Sequence, residues 1–434
     1  MKKLIALLMA LAVVFSFAAC TNGNTGETTG ATTGEITGDT VEGSVYYLNF
    51  KPEFDEALQQ LAKDYTAATG VEVKVVTAAS GTYSDTLTAE MAKDAAPTIF
   101  NIGNLAALAD WDEYALDLTD SAIAAELATD DFNLYNADGE LKAIGNCYES
   151  FGIIVNTKLL ADAGYSLEDI TDFDSLKAVV EDIHAKADTL GFDAFTSSGL
   201  ADSSSWRFSG HLATLPLHYE GINDAVAEIE GTYLDLYKNV WDLYINNSAT
   251  DAATLSSEYD AAAEFKEGKA VFYQNGTWEY SGLIEAGLTD DQLAMIPIYC
   301  GAEGEENAAL CSGTENCWAI NAKASEADQK ASIDFLVWLV SDEKASATYV
   351  EQLGAVPFKN CPASTNKFAA DGAAMLAEGK SSISWAFNYT PNVDAWRKTV
   401  VTALTAYSAG TAEWSEVVTA FVDGWAYEYG VVNG

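Results

Sequence analysis

The chain has 434 residues, of which 49% are hydrophobic and 11% aromatic, so it can bury two full cores and is not a disordered polypeptide. Its formal net charge is −43 at pH 7. A surface this acidic repels nucleic acid and anionic lipid headgroups, which excludes both as partners, but it does not disfavour an uncharged ligand.

The first 19 residues have the pattern of an export signal. Lys2 and Lys3 provide the positive start, and residues 4–17 form an apolar run too short to span a membrane comfortably. Small residues then lead directly to Cys20, an arrangement that resembles a bacterial lipobox. The resemblance implies a signal peptide at 1–19 and lipidation of Cys20; the alternative is an ordinary signal followed by an ordinary thiol.

Residues 20–43 are predicted to be a flexible tether, because they consist almost entirely of Thr, Gly, Asn and Glu and have nothing to bury. A lipidated Cys20 followed by such a tether would hold the protein at the outer face of the cytoplasmic membrane of a bacterium. Two or more acyl chains on the cysteine would be needed for a stable anchor.

Five further cysteines give no functional indication. They are Cys147, Cys300, Cys311, Cys317 and Cys361. Their spacings match no zinc pattern, and an odd number leaves at least one unpaired. A Cys300–Cys311 disulfide, a Cys311–Cys317 disulfide and buried free thiols all remain open.

From residue 44 onward the hydrophobic pattern alternates between strand and helix. The predicted elements are a strand at 45–50, a helix at 53–69, a strand at 71–75, a helix from 83 towards Pro97 and a strand at 98–102. Gly70 stands where a helix C-cap is expected. Two consecutive crossovers of this kind build a parallel sheet covered by helices, which is an α/β fold.

The loops at the carboxyl ends of these strands are candidate ligand contacts, because ligands of open α/β sheets bind there. The first loop contains Lys51 and Glu53, the second Ser80 and Thr82, and the third begins at Asn101. None of them carries a glycine fingerprint for a dinucleotide. The alternative is that they are simple polar turns.

Several segments, in the same order along the chain, resemble extracellular sugar-binding proteins of the maltose-binding type. They are residues 46–53, 97–100, 149–156, 265–279 and 354–357. The resemblance covers nearly all of the chain after the tether. One departure is Gly103-Asn104, which stands where the family commonly has Gly-Pro.

The resemblance implies a two-lobed periplasmic-binding-protein type II fold that closes on its ligand about a hinge. Lobe one would comprise residues 44–150 plus 315–357, and lobe two residues 151–314 plus 358–434. The C-terminal segments are expected to form helices on lobe two. Their apolar faces, predicted to be core, contain Val393, Trp396, Val400, Leu404 and Tyr407, followed by Trp414, Val417 or Val418, and Phe421.

A sugar-binding site needs flat aromatic surfaces for the C–H faces of the ring and charged or amide groups for its hydroxyls. Trp278 with Glu279, and Trp206 with Arg207, each pair an aromatic group with a polar one. The other candidates are Lys51, Glu53 and Glu149 as charged groups and Trp385 as a weaker stacking surface.

Each candidate also has a structural alternative. Trp278 could be a core tryptophan, although the apparent turn at Gly276 and Thr277 favours stacking. Glu149 could support the hinge, and Arg207 could belong to a surface ion pair. Lys51 and Glu53 could pair with each other or cap the first helix.

No enzymatic motif is found. The three histidines do not form a metal motif, and a structural role is expected for each. We see no nucleophile elbow, phosphate loop or zinc signature. The sequence therefore predicts a non-enzymatic, monomeric binding subunit without cofactor or metal. It would capture a carbohydrate, favouring an oligosaccharide, for an ABC permease and its ATPase subunits. A polyol, amino acid or peptide ligand, a glycoside-acting surface enzyme and a structural lipoprotein are the alternatives.

Overall fold

The protein is described from a computed structural model, which covers residues 42–130, 132–250, 254–315 and 317–433. The predicted signal peptide, Cys20 and residues 20–41 of the predicted tether lie outside the described residues.

Most of the described residues lie in strands and helices. The strands are β1 Val45–Asn49, β2 Val73–Thr77, β3 Ile99–Ile102, β4 Leu134–Tyr135, β5 Leu141–Gly145, β6 Glu149–Asn156, β7 Asp193–Phe195, β8 Ala270–Gly276, β9 Leu293–Ile296, β10 Ala308–Gly313, β11 Cys317–Ile320 and β12 Ser381–Ser384. The α-helices are α1 Asp55–Thr69, α2 Tyr83–Met91, α3 Leu105–Trp111, α4 Thr157–Asp162, α5 Phe173–Ala185, α6 Ala187–Leu190, α7 Thr214–Glu220, α8 Leu234–Asn246, α9 Ala261–Lys266, α10 Glu279–Glu285, α11 Glu326–Ser341, α12 Glu343–Leu353, α13 Lys367–Ala377, α14 Val393–Ser408 and α15 Trp414–Asn433.

The first helix shows how the sequence produces these elements. Its apolar positions repeat at helical spacing, and Leu58, Leu61 and Tyr65 are buried. Gly70 ends it with φ = 79°, a left-handed conformation that glycine adopts without strain, and its N–H donates to the carbonyl of Thr66. A 3₁₀ turn at Pro52–Phe54 precedes the helix, so α1 begins two residues later than predicted.

The first sheet has the strand order β2-β1-β3-β11-β5-β4. β1 pairs in parallel with β2 and β3, as the alternating pattern predicted, and β11 returns antiparallel between β3 and β5. Helices α1, α11 and α12 pack on one face around residues such as Leu58 and Phe335, and α2 and α3 pack on the other around Leu87 and Phe100. We call this sheet and its helices lobe one.

The second sheet has the order β12-β10-β6-β8-β7, with β9 also paired to β6. The larger of its two cores includes residues of α5, α8, α14 and α15, and the smaller one includes Phe265, Leu283 and Phe368 from α9, α10 and α13. We call this layer lobe two. The two C-terminal helices lie on lobe two, as predicted.

The C-terminal aromatic residues are core residues rather than ligand contacts. Trp396, Val400 and Leu404 of α14 are fully buried, and Phe421 of α15 is 1% exposed. The indole of Trp396 meets the ring of Phe421 at 4.6 Å, edge to face, and its Nε1 donates to the Phe421 carbonyl. The predicted helical face is confirmed at Trp396, Val400, Leu404, Val417 and Phe421, whereas Val393, Tyr407 and Trp414 are only partly buried.

The chain passes from lobe one to lobe two between β5 and β6 and returns between β10 and β11. After α12 it stays against lobe one as far as Phe358, which forms a bridge with Leu127, before α13 packs on lobe two. The ends of β6 and β10 therefore lie where the lobes join, and the candidate ligand contacts are near them.

The five cysteines in the described residues are free thiols, and all except Cys361 are buried. The two candidate disulfides are therefore absent from the described structure, and the free-thiol alternative holds there. In the same residues, no helix is both long and apolar enough to cross a membrane.

Candidate ligand-binding cleft

A buried ion pair joins the two lobes. Lys51, in the loop after β1, places its Nζ 2.6 Å from a carboxylate oxygen of Glu149, the first residue of β6. Lys51 and Glu149 are 6% and 4% exposed. Glu53 adds a second carboxylate 3.0 Å from the same ammonium, and its side chain is 36% exposed. The sequence alternative that Lys51 and Glu53 pair with each other is thus realised, with Glu149 as an additional partner.

The Lys51 loop is held by the side chain of Asn49. Its amide nitrogen donates to the Lys51 carbonyl at 2.7 Å, and its oxygen accepts from the Lys51 backbone N–H at 3.1 Å. These bonds satisfy buried polar groups at the end of β1. They fix the direction in which the lysine leaves the strand.

The electrostatics of this cluster keep the lysine charged. Burial lowers the pKa of Lys51, but the negative charges of Glu149 and Glu53 outweigh that effect and hold the pKa well above its ordinary value. Burial raises the pKa of Glu149, and the Lys51 ammonium opposes that rise. The ammonium therefore keeps its proton at neutral pH.

Trp278 faces this ion pair from lobe two. The Lys51 Nζ lies 5.9 Å from the centroid of the Trp278 ring, within the range of a cation–π contact. The indole folds back over Gly276, where a Cβ atom would lie 2.1 Å from the ring. Gly276 is the last residue of β8 and not part of a turn, which corrects the sequence interpretation; the turn consists of Thr277 and Trp278.

Trp206 supplies a second aromatic surface beside Trp278. Their ring centroids are 6.2 Å apart at an interplanar angle of 50°, and both side chains are partly exposed. The Nε1 of Trp206 donates to the Ser203 carbonyl at 2.9 Å, which fixes the indole in a turn leading into a helix. The two indoles together form an angled aromatic wall on lobe two.

His211 lies behind this wall. Its ring is 5.6 Å from Trp278 and stacks on Phe151 of β6 at 3.8 Å, and Gln274 contacts its Nδ1 at 2.9 Å. Burial, reinforced by the positive charges of Arg397 and Arg207, holds its pKa well below the ordinary value, so the ring is neutral. The expected structural role for this histidine agrees with these contacts.

Arg207 is buried beneath the cleft. It begins a π-helix, Arg207–Leu212, and every residue of that helix is buried. Its Nε donates to the Gln274 carbonyl at 2.9 Å, and the guanidinium lies 5.0 Å from the Tyr273 ring. At 3% exposure, and with no ion pair to any described residue, Arg207 is not a surface ion-pair residue.

Glu279 follows Trp278 at the start of α10. Its carboxylate accepts from the side-chain amide of Asn275 at 3.0 Å. Burial raises its pKa, and the charges of Lys266 and Arg207 act in the opposite direction. Glu279 thus sits close to Arg207 without a direct ion pair between them in the described structure.

The remaining predicted contacts differ in position. Ser80 and Thr82 are exposed in the second strand-end loop, where Gly81 approaches the Asp202 carbonyl of lobe two; a Cβ there would lie 3.4 Å from it. Asn101 is 3% exposed, and its Oδ1 has no partner in the described residues.

Trp385 lies below the site rather than at its surface. It is 6% exposed, its ring packs on those of Phe151 and Phe387, and its Nε1 donates to the Cys311 carbonyl at 3.0 Å. The structure therefore does not place it as a stacking surface. Asn104 stands where the family commonly has proline. Its side-chain oxygen caps α3 by accepting a hydrogen bond from the Ala107 N–H.

Two residues at the junction of the lobes were not found from the sequence. Arg397 of α14 and Glu315, between β10 and β11, place Nη2 and Oε1 4.0 Å apart. Arg397 lies on the amphipathic helix α14, where an arginine is normally solvated. A compositional clue existed, because Arg207 and Arg397 are the only arginines in the sequence.

Two α/β layers joined by chain crossings, with aromatic and charged groups gathered between them, define a two-lobed ligand-binding protein. The sequence profile of the bacterial extracellular solute-binding proteins matches residues 60–376, about three quarters of the chain. The chain belongs to this family. No curated protein sequence matches it.

Solved structures share the fold. A chitin oligosaccharide binding protein has a TM-score of 0.69 at 20% identity, covering 91% of this chain and 100% of that one. A sugar transporter protein from Bacillus licheniformis in complex with stachyose has a TM-score of 0.67 at 18% identity, covering 88% and 100%. An ABC transporter solute-binding protein from Agrobacterium radiobacter in complex with ribitol has 0.66 at 19% identity, covering 89% and 99%. The predicted two-lobed binding-protein fold is confirmed.

The first prediction concerns the buried ion pair. Replacing Glu149 with Gln should lower the free energy of unfolding by about 3–5 kcal/mol, because it leaves a buried ammonium with a weaker, half-exposed partner. The measurement is urea unfolding followed by circular dichroism. The matched control is Asp334→Asn, which breaks the exposed Lys330–Asp334 pair and should change stability by less than about 1 kcal/mol. Equal effects of the two variants would contradict the structural role of the Lys51–Glu149 pair.

A second prediction concerns Gly276. Replacing it with Ala should displace the Trp278 indole, because the added methyl group would lie 2.1 Å from the ring where it now packs. Comparison of the wild-type and variant crystal structures tests this directly. Gly410→Ala is not a suitable control because φ there is 67°, whereas Gly430→Ala adds a methyl group to an open helical position. An unmoved indole in the Gly276 variant would contradict the prediction.

A third prediction concerns pH. Because the folded state keeps His211 neutral, the unfolded state binds more protons below the ordinary histidine pKa of about 6.5. Stability should therefore fall as pH drops below that value, with His211 contributing a slope of about 1.4 kcal/mol per pH unit. Urea unfolding of wild type and His211→Gln at pH 7.5, 6.5 and 5.5 should show a shallower slope in the variant. Identical slopes would show that His211 takes up a proton when folded.

Proposed function

We propose that the protein captures a carbohydrate, most suitably an oligosaccharide, between its two lobes and delivers it to an ABC permease. The observation that supports this best is the pair of partly exposed indoles, Trp206 and Trp278, opposite the buried Lys51–Glu149 ion pair. The arrangement combines the two kinds of surface that a sugar ring requires.

Each part has a distinct physical role in this proposal. The indole of Trp278 buries the C–H face of a pyranose at a low cost in conformational entropy. Lys51 and Glu53 offer a charged donor and a charged acceptor for neighbouring hydroxyls, which gives stronger hydrogen bonds than neutral groups do. Trp206, tilted against Trp278, offers a surface for a second sugar unit. Ser80, Thr82, Asn101, Glu149, Arg207 and Glu279 are proposed as surrounding contacts or supports.

Binding is proposed to close the lobes about the crossings. Because β6 begins at Glu149 in the sheet of lobe two and Phe358 packs in the core of lobe one, the bounds predicted from the sequence shift slightly: lobe one would comprise residues 44–148 plus 315–358 and lobe two residues 149–314 plus 359–434. A ligand that contacts Lys51 on one side and Trp278 on the other binds the closed state better than an open one. It therefore shifts the population towards closure.

The cellular setting follows from the N-terminal sequence and the family. We propose that residues 1–19 are a signal peptide, that Cys20 is lipidated and that residues 20–43 tether a monomeric binding domain to the outer face of the cytoplasmic membrane. The closed form would contact the permease, whose ATPase subunits drive import. The extracellular family supports this location, and the structural neighbour from Agrobacterium radiobacter is described as part of an ABC transporter.

A polyol is the second candidate ligand, because one structural neighbour is in complex with ribitol. A polyol presents vicinal hydroxyls to Lys51 and Glu53 but has no ring face for Trp278 to cover. We therefore expect weaker binding of a linear polyol than of an oligosaccharide. Binding is proposed to occur without cleavage, as befits a family of solute-binding proteins.

The test is thermal unfolding of the purified protein with raffinose, stachyose, chitin oligosaccharides, ribitol and amino acids. A ligand of the folded state raises the midpoint by an amount that grows with its concentration relative to its dissociation constant. We expect a shift with an oligosaccharide, no products after overnight incubation, and a loss of affinity of about tenfold or more in Trp278→Ala.

The matched control is Trp338→Ala, which removes a partly exposed indole packed on Tyr65 of lobe one, outside the cleft. It should leave the affinity unchanged. If only an amino acid shifted the midpoint, the carbohydrate assignment would be wrong. Cleavage of a bound sugar would contradict the proposal of a non-enzymatic protein.

A further inference from the structure

Arg397 is a largely buried cation that forms no hydrogen bond with the residues that the structure describes. Its side chain is 17% exposed, and its guanidinium lies 4.0 Å from a carboxylate oxygen of Glu315 and 3.8 Å from one of Asp394. Neither distance is a hydrogen bond. The Phe387 ring lies 5.2 Å from the guanidinium carbon. Within the described part of the chain, the guanidinium is therefore held by packing and by charge.

The N–H groups of the Arg397 guanidinium require hydrogen-bond acceptors. An arginine has five N–H donors, and Arg397 makes no hydrogen bond with any described residue; its Nε is buried without a partner. A buried unpaired donor costs free energy, and such groups in native structures need an explanation. A ligand with two neighbouring oxygen atoms would satisfy the planar fork of this side chain.

The Arg397 guanidinium occupies space that is free because a neighbouring residue has no side chain. Gly210, in the π-helix, has no Cβ, and one placed there would lie 2.7 Å from the Arg397 Nη2. π-Helical turns are rare and often mark functional sites. Any larger residue at Gly210 would push the guanidinium away from its position.

Arg397 and Glu315 belong to the junction of the lobes. A Cβ at Gly103, in the third strand-end loop of lobe one, would lie 3.6 Å from the Glu315 carbonyl. Burial raises the pKa of Glu315, Arg397 opposes the rise, and the charges of Glu149 and Lys51 also act on this carboxyl. The Glu315 carboxyl therefore interacts electrostatically with Arg397 and also with the Lys51–Glu149 ion pair.

The charge around Arg397 selects among oxygen-bearing ligands. Glu315 and Asp394 already place two carboxylates within 4.0 Å of the guanidinium. A ligand carboxylate would add a third negative charge at short range, which is unfavourable in a partly desolvated site. Two neighbouring hydroxyl groups can accept from the guanidinium and donate to Glu315 without any such repulsion.

We infer that Arg397 and Glu315 form a second polar subsite, which binds the vicinal hydroxyls of an uncharged sugar unit and rejects units that carry a carboxylate. This inference rests on the proposed function and adds a substrate class to it: neutral rather than uronic-acid oligosaccharides. Gly210 acts as a positioning residue by leaving space for the guanidinium.

The experiment measures binding of stachyose, N-acetylchitotetraose, ribitol and tetragalacturonate to wild type, Arg397→Lys, Glu315→Gln and Lys398→Gln. Lysine keeps the charge but not the fork, so Arg397→Lys should weaken the best neutral ligand about tenfold or more. Lys398 is exposed on the same helix, and its replacement should have no effect. Glu315→Gln should narrow the preference for neutral ligands over tetragalacturonate. Unfolding midpoints without ligand verify that each variant is folded.

The outcomes separate the two proposals. A neutral ligand that binds wild type and Arg397→Lys with affinities within twofold would overturn the subsite and leave the proposed function intact. Tighter binding of tetragalacturonate than of every neutral probe would overturn the charge selection. Absence of binding by every probe would overturn the carbohydrate function and the subsite with it.

Discussion

The arrangement of the cleft depends on one interaction, the buried ion pair between Lys51 and Glu149. Lys51 extends from the loop after β1 of lobe one, and Glu149 is the first residue of the central strand of lobe two. Desolvation of two charges is costly, and it is offset only where their geometry is good and further hydrogen-bonding groups are near. The 2.6 Å contact and the second carboxylate of Glu53 meet that condition. The pair therefore fixes which parts of the two lobes meet.

Strand β8 determines the position of Trp278 in the aromatic wall. This strand lies next to β6, with Gly276 directly opposite Phe151, so the residue that admits the folded-back indole is set by the register of the sheet. Phe151 in turn supports His211, and Trp278 lies on the other side of the histidine. The indole extends from the turn after β8, and it packs against Gly276 of the buried sheet and beside His211, which is supported by Phe151; these contacts hold it in position before any ligand arrives. Such preorganisation reduces the entropy lost on binding.

Much of the fold could be predicted from the sequence because the decisive information is local. The helix ending at Gly70, the parallel pairing of β1 with β2 and β3, and the buried stripe of α14 all follow from hydrophobic spacing and capping. The ligand-binding site was harder to predict from the sequence, because its contacts join residues that are far apart in the chain. The sequence offered both Trp278 and Trp385 as stacking candidates. Trp385 lies beneath β10, and only the packing shows this difference between them. Arg397 was missed because an arginine on an amphipathic helix is normally solvated.

The placement of the basic residues gives the acidic composition a functional meaning. The chain has 65 acidic and 22 basic residues, yet Lys51, Arg207 and Arg397 all lie at or below the junction of the lobes. A negative surface of this kind opposes the approach of anionic molecules and leaves neutral ones unaffected. Lys51 and Arg397 each have two carboxylates within 4.0 Å, which weakens the positive field that they would otherwise present to an anion. Long-range and short-range electrostatics thus both support the proposed class of ligand, an uncharged molecule with many hydroxyl groups that could bond to charged side chains in the cleft.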